Sequence, residues 1–311
     1  MLKKRPCFIG LLANTNASIL KLHLGNGFTI QSMPDDEGYK FFSILENLSV
    51  YETGKKLFIA YHCLNAEEKK LYFVINCLEI DVEEEDANSL VWKISVKIDD
   101  LVESYLEPKI RLMRLFKEGN IHIPMKYYFF IENDTPKPFM SKGSGLFTHI
   151  RPMSSEYTVE ESEVPSLEKF IQDTKLPFHR EFLQLAFENF ELSYQVPNTN
   201  LSFLALMNSL EALFNRGQAE LSYTISRNVA VLLGKDVDES MMIFKKMKKL
   251  YAMRSDIVHA RKLKVASERE LLNLRHYVRE SIKEISYMNE NKKEIFDLLN
   301  SHGFGDRTWY K

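Results

Sequence analysis

The chain has little cysteine: three residues in 311, Cys7, Cys63 and Cys77. Their spacing matches no paired metal-ligand pattern, which excludes a zinc ribbon or finger. Two of them fall in apolar, strand-like runs, which predicts buried free thiols and a reducing, cytoplasmic setting. Charge of one sign is also missing. Lys plus Arg total 41 and Asp plus Glu 43, for a net charge of −2. A surface that is basic all over is excluded, so any contact with nucleic acid must use a local patch. No apolar run approaches the about 18 to 20 residues of a membrane span, and no membrane partner is expected. The opening Met-Leu-Lys-Lys-Arg-Pro has neither a long apolar run nor a small-residue cleavage site and does not read as a signal peptide. No internal repeat or low-complexity tract is visible. His23, His62, His122 and His149 are scattered without ligand spacing. No metal and no cofactor is expected.

What is present is an ordinary globular composition, 45% hydrophobic and 27% charged, in a chain long enough for two domains. The first half reads as strands. Trp92, Ile94, Val96 and Ile98 alternate with Lys93, Ser95 and Lys97, the period of a half-buried antiparallel strand. Phe8 to Leu12, Ile19 to Leu24, Phe28 to Met33, Leu57 to Leu64, Leu71 to Cys77 and Tyr127 to Ile131 complete the expected sheet. The acidic run Asp81 to Asp86 reads as a solvated turn rather than a metal site. Pro108 is expected to open a short helix with Ile110, Met113 and Phe116 on one face, ended by Gly119. Residues 133–165, with Pro136, Pro138, Gly143, Gly145 and Pro152, read as loop and linker, and Lys142-Gly-Ser-Gly145 as a plain turn.

From Val164 the period becomes helical. Stripes follow at Phe182, Leu185, Ala186 and Phe190; at Phe203, Leu206, Leu210, Leu213 and Phe214; and at Leu221, Ile225, Val229 and Leu232, ended by Gly234. A fourth helix is predicted over roughly Glu239 to Met253. Ser267-Glu-Arg-Glu270 has the capping-box pattern and opens a long helix through Leu271, Leu274, Val278, Ile282 and Ile285. The expected fold class is α+β. A mainly antiparallel β domain over residues 1–150 would sense or regulate, a linker would span 151–165, and an α-helical bundle would occupy 166–311.

The most informative segment is Tyr251-Ala-Met-Arg254-Ser-Asp-Ile-Val-His259-Ala-Arg-Lys. Arginine matches a phosphate with a rigid fork of donors, and histidine exchanges a proton near neutral pH. Together they suffice to cleave a phosphodiester without a metal. Arg254 and His259 stand five residues apart, about 140° around an ideal helix. Either the segment bends, or a working site combines two copies across a two-fold axis. Ser255 or Asp256 would position the pair. Lys245, Lys246, Lys248 and Lys249 precede it and Arg261, Lys262 and Lys264 follow, a basic patch suited to an RNA backbone. Plainer roles stand beside each: a helix-end histidine, an ion pair of Arg254 with Asp256, a solvated lysine face. A second such pair, Arg269 and His276, lies within a periodic helix and reads as surface decoration.

Leu204-Ala-Leu-Met-Asn-Ser-Leu-Glu211-Ala-Leu-Phe214, Glu220 to Gly234 and Leu250 to His259 together resemble the HEPN superfamily, specifically its Apea-like group. The resemblance covers roughly residues 175–290. It implies a helical domain that dimerises with its two Arg-x4-His motifs facing each other. The implied activity is a metal-independent endoribonuclease using Arg254 and His259, leaving a 2′,3′-cyclic phosphate and a 5′-hydroxyl. Glu211, in the first resembling stretch, is expected to pair with Arg254. The resemblance further implies bacterial antiviral defence or a stress response, with a phage or regulatory trigger read by the N-terminal domain. Two other outcomes stay open: a non-catalytic HEPN module that binds RNA, nucleotide or a partner protein, and a protein-interaction scaffold.

Overall fold

A computed structural model describes residues 3–45, 64–65, 68–78, 80–81, 93, 96–132, 134–143, 156–215, 217, 220–259 and 265–308. The fold is mixed α+β, with an antiparallel sheet near the N-terminus and a mostly helical C-terminal part. It divides into two compact units, Met1–Thr174 and Lys175–Lys311.

The first unit is built on β1 (Lys3–Leu12), β2 (Thr29–Pro34), β3 (Leu64–Asn65), β4 (Lys70–Cys77), β5 (Ile80–Asp81), β6 (Met125–Glu132) and β7 (Thr135–Gly143). The main strand order is β2-β4-β1-β6-β7, with β3 on β4 and β5 on β1. Strand β1 is central, and its run Cys7 to Leu12 is apolar at nearly every position because both faces of the sheet are covered. Cys7, Ile9 and Leu11 share one face with Leu71, Phe73, Tyr127 and Phe129, under Phe42 and Leu45 of α1 (Asp35–Leu45). On the other face Phe8 meets Phe28 and Tyr128, and Tyr105 stacks on Phe28.

Four expectations for this unit change. The alternation at Trp92 to Ile98 predicts a strand, yet Lys93 is helical and residues 96–101 run through a π-helical turn (Val102–Leu106) into α2 (Glu107–Phe116), while Trp92, Ile94 and Ser95 lie outside the described residues. The longer pattern prevails: Ile98, Val102, Leu106, Ile110 and Met113 recur every three or four residues and are all buried. The run Ile19 to Leu24 is not a strand. Asn16 accepts from the Ser18 amide at 3.0 Å and caps a short 3-10 turn, Ala17–Lys21. Residues 135–143, expected as loop, form β7, whose Pro136 and Pro138 are tolerated because it is an edge strand paired with β6 alone. Finally, Cys7 and Cys77 are not free thiols. The register of β1 and β4 sets them opposite each other with Cα atoms 4.1 Å apart, and they form a disulfide. The adjacent pair carries the ladder bond, from the Leu78 amide to the Pro6 carbonyl at 2.9 Å, so the cysteines occupy the closer, non-hydrogen-bonded position. This bond removes the free-thiol ground for a reducing compartment. Cys63, Leu57 to Cys63 of an expected strand, and residues 82–86 of the acidic run lie outside the described residues.

The expected linker also behaves differently. Its described part is tied to the sheet unit: the Tyr157 amide donates to the Asn14 carbonyl at 2.8 Å and the Val159 amide to Ser18 Oγ at 3.0 Å. Helix α3 (Val164–Asp173), with Pro at its start, stays with that unit through Phe116 against Phe170 and Lys117 Nζ on Glu163 at 2.6 Å. The boundary between compact units therefore follows α3, after Thr174, rather than preceding residue 166.

The second unit holds α4 (Glu181–Gln195), α5 (Thr199–Phe214), α6 (Leu221–Leu233), α7 (Val237–Val258), α8 (Glu268–Tyr287) and α9 (Lys292–Ser301). Their stripes are core: Phe187, Phe190, Phe203, Leu206, Leu210, Ile225, Val229, Leu274, Val278 and Ile282 are all buried. Leu185 is exposed, at 56%, and Phe182 and Leu221 are only half-buried. N-caps come from Asn198, Asp236, Ser267 and Asn291, the last two as full capping boxes with Glu270 and Glu294. Several helix C-termini are closed by arginines from elsewhere. Arg180 donates to the Ile285 carbonyl at 2.6 Å, Arg227 to those of Leu299 at 2.8 Å and His302 at 2.6 Å, and Arg307 to that of Leu232 at 3.1 Å. At the turn from α6 to α7, Gly234 is required by closeness: an added Cβ would lie 2.7 Å from Ser240 Cα. Among the described residues no helix is long and apolar enough to cross a membrane.

Candidate functional site

Helix α7 carries the motif. Its buried stripe is Ile243, Met247, Leu250 and Met253. Arg254 follows Leu250 by four residues and Met247 by seven, so it inherits the inward-facing side of the helix at its last turns. There the guanidinium reaches across to α5, and Nη2 stands 3.2 Å from Glu211 Oε1. The two side chains keep 26% and 20% of their exposure, so the pair is partly shielded from water. Tyr251 closes the cluster. Its hydroxyl donates to the same Glu211 oxygen at 3.3 Å, and its ring lies 5.9 Å from the Arg254 guanidinium carbon. Burial and then the Glu211 charge push the Tyr251 hydroxyl pKa above its ordinary value, so it stays protonated as a donor through the neutral range. Among the described residues Arg254 Nε is buried without a hydrogen-bond partner. Glu211 thus anchors Arg254 at Nη2, while the side chain as a whole keeps 26% of its exposure.

His259 is the C-cap of α7, and its amide donates to the Ser255 carbonyl at 3.0 Å. The helix is continuous through Val258, so no bend swings the imidazole toward Arg254. Five helical steps leave it about 140° around the axis, exposed to solvent. The pairing of Glu211 with Arg254 is present; a convergence of Arg254 and His259 within one chain is not. Ser255 and Asp256 are half-buried, and among the described residues neither side chain is bonded to Arg254 or His259.

Lys245, Lys246, Lys248 and Lys249 are all exposed on α7; Lys245 and Lys248 lie away from the buried stripe, and Lys246 and Lys249 flank it. Arg261, Lys262 and Lys264 lie outside the described residues. Between α7 and the start of α8 is a groove of about 520 Å³ whose lining includes Lys246, Lys249, Leu250, Met253 and Asp256. Arg269 and Asn273 line it from α8. The sequence offered a weak sign of them: both fall in the first turns after the Ser267 capping box, and Arg269 reads there as mere decoration. The histidine of that second pair, His276, instead meets Arg279 Nη2 at 3.2 Å. Of the scattered N-terminal histidines, His23 contacts Glu168 Oε1 at 2.9 Å and His122 the Asn120 carbonyl at 2.8 Å; His62 and His149 lie outside the described residues. No group of three or more metal-type side chains occurs among the described residues.

No protein-family model, no curated protein and no solved structure matches the chain.

Proposed function

We propose that the chain is a metal-independent endoribonuclease of HEPN type, acting as a homodimer through its helical unit in bacterial defence or a stress response. The observation that carries this is Arg254, held at Nη2 by Glu211, which Tyr251 also bonds, with part of its side chain still open to solvent near the end of α7. A positioned, partly desolvated guanidinium suits a scissile phosphate, where it would stabilise charge growing on the phosphoryl oxygens. His259 stands exposed at the end of the same helix, past a row of exposed lysines. One imidazole takes the proton of a ribose 2′-hydroxyl. That oxygen attacks the adjacent phosphorus, the bond to the 5′-oxygen breaks, and a proton is returned to the leaving oxygen. The products are a 2′,3′-cyclic phosphate and a 5′-hydroxyl. Because a single continuous helix separates the two side chains by about 140°, the working pair takes Arg254 and His259 from both copies, as a two-fold axis permits. The N-terminal unit would sense the trigger.

The test compares wild type, Arg254→Ala and His259→Ala on purified RNA with EDTA present. Cleavage by wild type that survives EDTA and drops about 10²- to 10⁴-fold in the His259 variant is expected. Equal rates in all three sink the proposal, as does a monomer in light scattering at micromolar concentration. A second reading, a non-catalytic module that binds RNA, nucleotide or a partner, is favoured by the divergence of Arg254 and His259 in one chain. RNA binding without cleavage under conditions where the dimer forms would select it.

A further inference from the structure

The Cys7–Cys77 bond lies at the rim of the sheet's apolar core rather than in its middle. On the face of β4 that packs under α1, burial runs out toward the C-terminal end: Leu71 and Phe73 are buried, Ile75 is half-buried and Cys77 is exposed. Opposite it, Cys7 is 1% exposed and belongs to the cluster of Ile9, Phe73 and Phe129. One half of the bond is in the core and the other is at the surface. An incoming thiolate therefore meets the bond from the Cys77 side. Two features decide what breaking it does. The ladder of β1 and β4 continues from the cysteine pair to Leu12 opposite Tyr72, and β6 holds the other edge of β1. That register keeps the two sulfurs facing each other whether or not they are joined. Beyond Cys77 the hold is slighter. The Leu78 amide donates to the Pro6 carbonyl at 2.9 Å, and β5, two residues long, pairs with Lys3 and Lys4 of β1.

We propose that Cys7 and Cys77 form a reversible thiol–disulfide switch, attacked at the Cys77 sulfur, whose reduction releases β5 from β1 while the β1–β4 ladder stands. Disulfides shut inside a fold resist the cellular thiol pool, whereas exposed ones are the labile and regulatory ones. The reductant is a small cellular thiol of the glutathione class. Its thiolate attacks Cys77 Sγ, the bond between the two cysteine sulfurs breaks, and the electron pair goes to Cys7 Sγ, which takes a proton. A second thiolate then attacks the reductant's sulfur in the mixed disulfide. Cys77 leaves as a thiolate and is protonated in turn. Two thiols are oxidised to one disulfide, and the chain gains two electrons and two protons. Reoxidation by the disulfide of the same thiol runs these steps backward, with the ladder presenting Cys7 to the mixed disulfide on Cys77. Cys7 as a free thiol suits the apolar cluster it already occupies. The switch belongs to the sheet unit and does not depend on the nuclease reading.

The experiment uses the full chain carrying Cys63→Ser, which removes the third thiol from the readout. It is equilibrated in glutathione buffers running from fully oxidised to fully reduced, then alkylated, and the state of Cys7 and Cys77 is read by peptide mass. Half-conversion is expected within that series. A bond still intact in the fully reduced buffer overturns the proposal. Hydrogen exchange is followed on the same samples. The amides of residues 78–81 are expected to exchange about tenfold faster or more once the bond is reduced, those of residues 9–11 to stay protected, and both to return on reoxidation. Unchanged exchange at residues 78–81, loss of protection along the whole ladder, or failure of the bond to re-form each overturns it. The point of attack is read by adding oxidised glutathione to Cys7→Ser and to Cys77→Ser chains whose folding is checked by thermal melts. Cys77 is expected to take up glutathione about tenfold faster than Cys7 or more, and equal rates overturn the assignment. Where a serine variant does not fold, the first mixed disulfide trapped on the intact pair decides instead: glutathione on Cys77 supports the proposal and glutathione on Cys7 overturns it.

Discussion

The two compact units use their polar groups differently. In the sheet unit, charges are closed into local clasps: Lys126 Nζ lies 2.8 Å from both Glu103 and Glu107, and the Tyr128 hydroxyl donates to Asp99 at 2.5 Å. These bonds pin the helical run of residues 96–116 to β6. In the helical unit, Arg180, Arg227 and Arg307 are spent on the carbonyls of helix ends, where the helix dipole favours a cation. Arg254 follows neither pattern. It is gripped by a carboxylate but, among the described residues, its buried Nε has no acceptor. Unsatisfied buried donors cost stability, so a side chain that keeps one is a better candidate for function than its fully bonded neighbours.

The comparison breaks most sharply if Arg254 proves to be one more structural arginine. Arg254→Ala and His259→Ala are expected to remove cleavage by about 10²-fold or more while shifting the melting temperature little, because His259 is exposed and the Glu211 pair is half-open to water. A large drop in melting temperature with unchanged activity would reverse the assignment. Next in size is the sheet unit's covalent tie. Cys77→Ser opens a loop closed over a sequence separation of 70 and is expected to cost that unit about 2–4 kcal/mol. A dithiol reductant should lower the wild-type melting temperature to the variant's, and no change on reduction would count against the bond.

Smaller effects sharpen the contrast between clasp and cap. Arg227→Ala strips the carbonyl acceptors at the end of α9 of their donor and is expected to destabilise the helical unit by about 2 kcal/mol, read as earlier hydrogen exchange in α9. Lys126→Met is expected to cost about 1 kcal/mol, since Glu103 and Glu107 lose the charge between them. Burial works against the Lys126 charge, but Glu107 and Glu103 outweigh it and raise its pKa above 10.5. The clasp is therefore fully present below pH 10.5 and weakens as pH rises through the elevated value. Stability measured from pH 9 to 12 should fall more steeply in wild type than in Lys126→Met, and parallel curves would exclude the clasp.

The helical unit was largely legible in the chain because its signals are local. The Ser267–Glu270 capping box, the stop at Gly234 and the stripes of α5, α6 and α8 each lie within one element. The pairing of Glu211 with Arg254 was also anticipated, from resemblance rather than from spacing. The sheet unit was less legible. The strand-like alternation around Val96 runs into a longer helical stripe that begins at Ile98, and the prolines of β7 obscure a strand that an edge position tolerates. The disulfide was unreadable because Cys7 and Cys77 become opposite residues only once β1 and β4 are in register.

By itself the sequence determined the change from strand to helix along the chain, most helix boundaries, and the presence of an arginine and a histidine five positions apart on one helix. Period, capping and turn chemistry act over a few residues, so they are written where they operate. Tertiary structure alone decided that α3 belongs with the sheet, that two cysteines are joined, that His259 faces away from Arg254, and that Arg269 shares a groove with Lys249. Those outcomes depend on which surfaces are brought together to bury apolar area, and that choice is made by the whole chain at once.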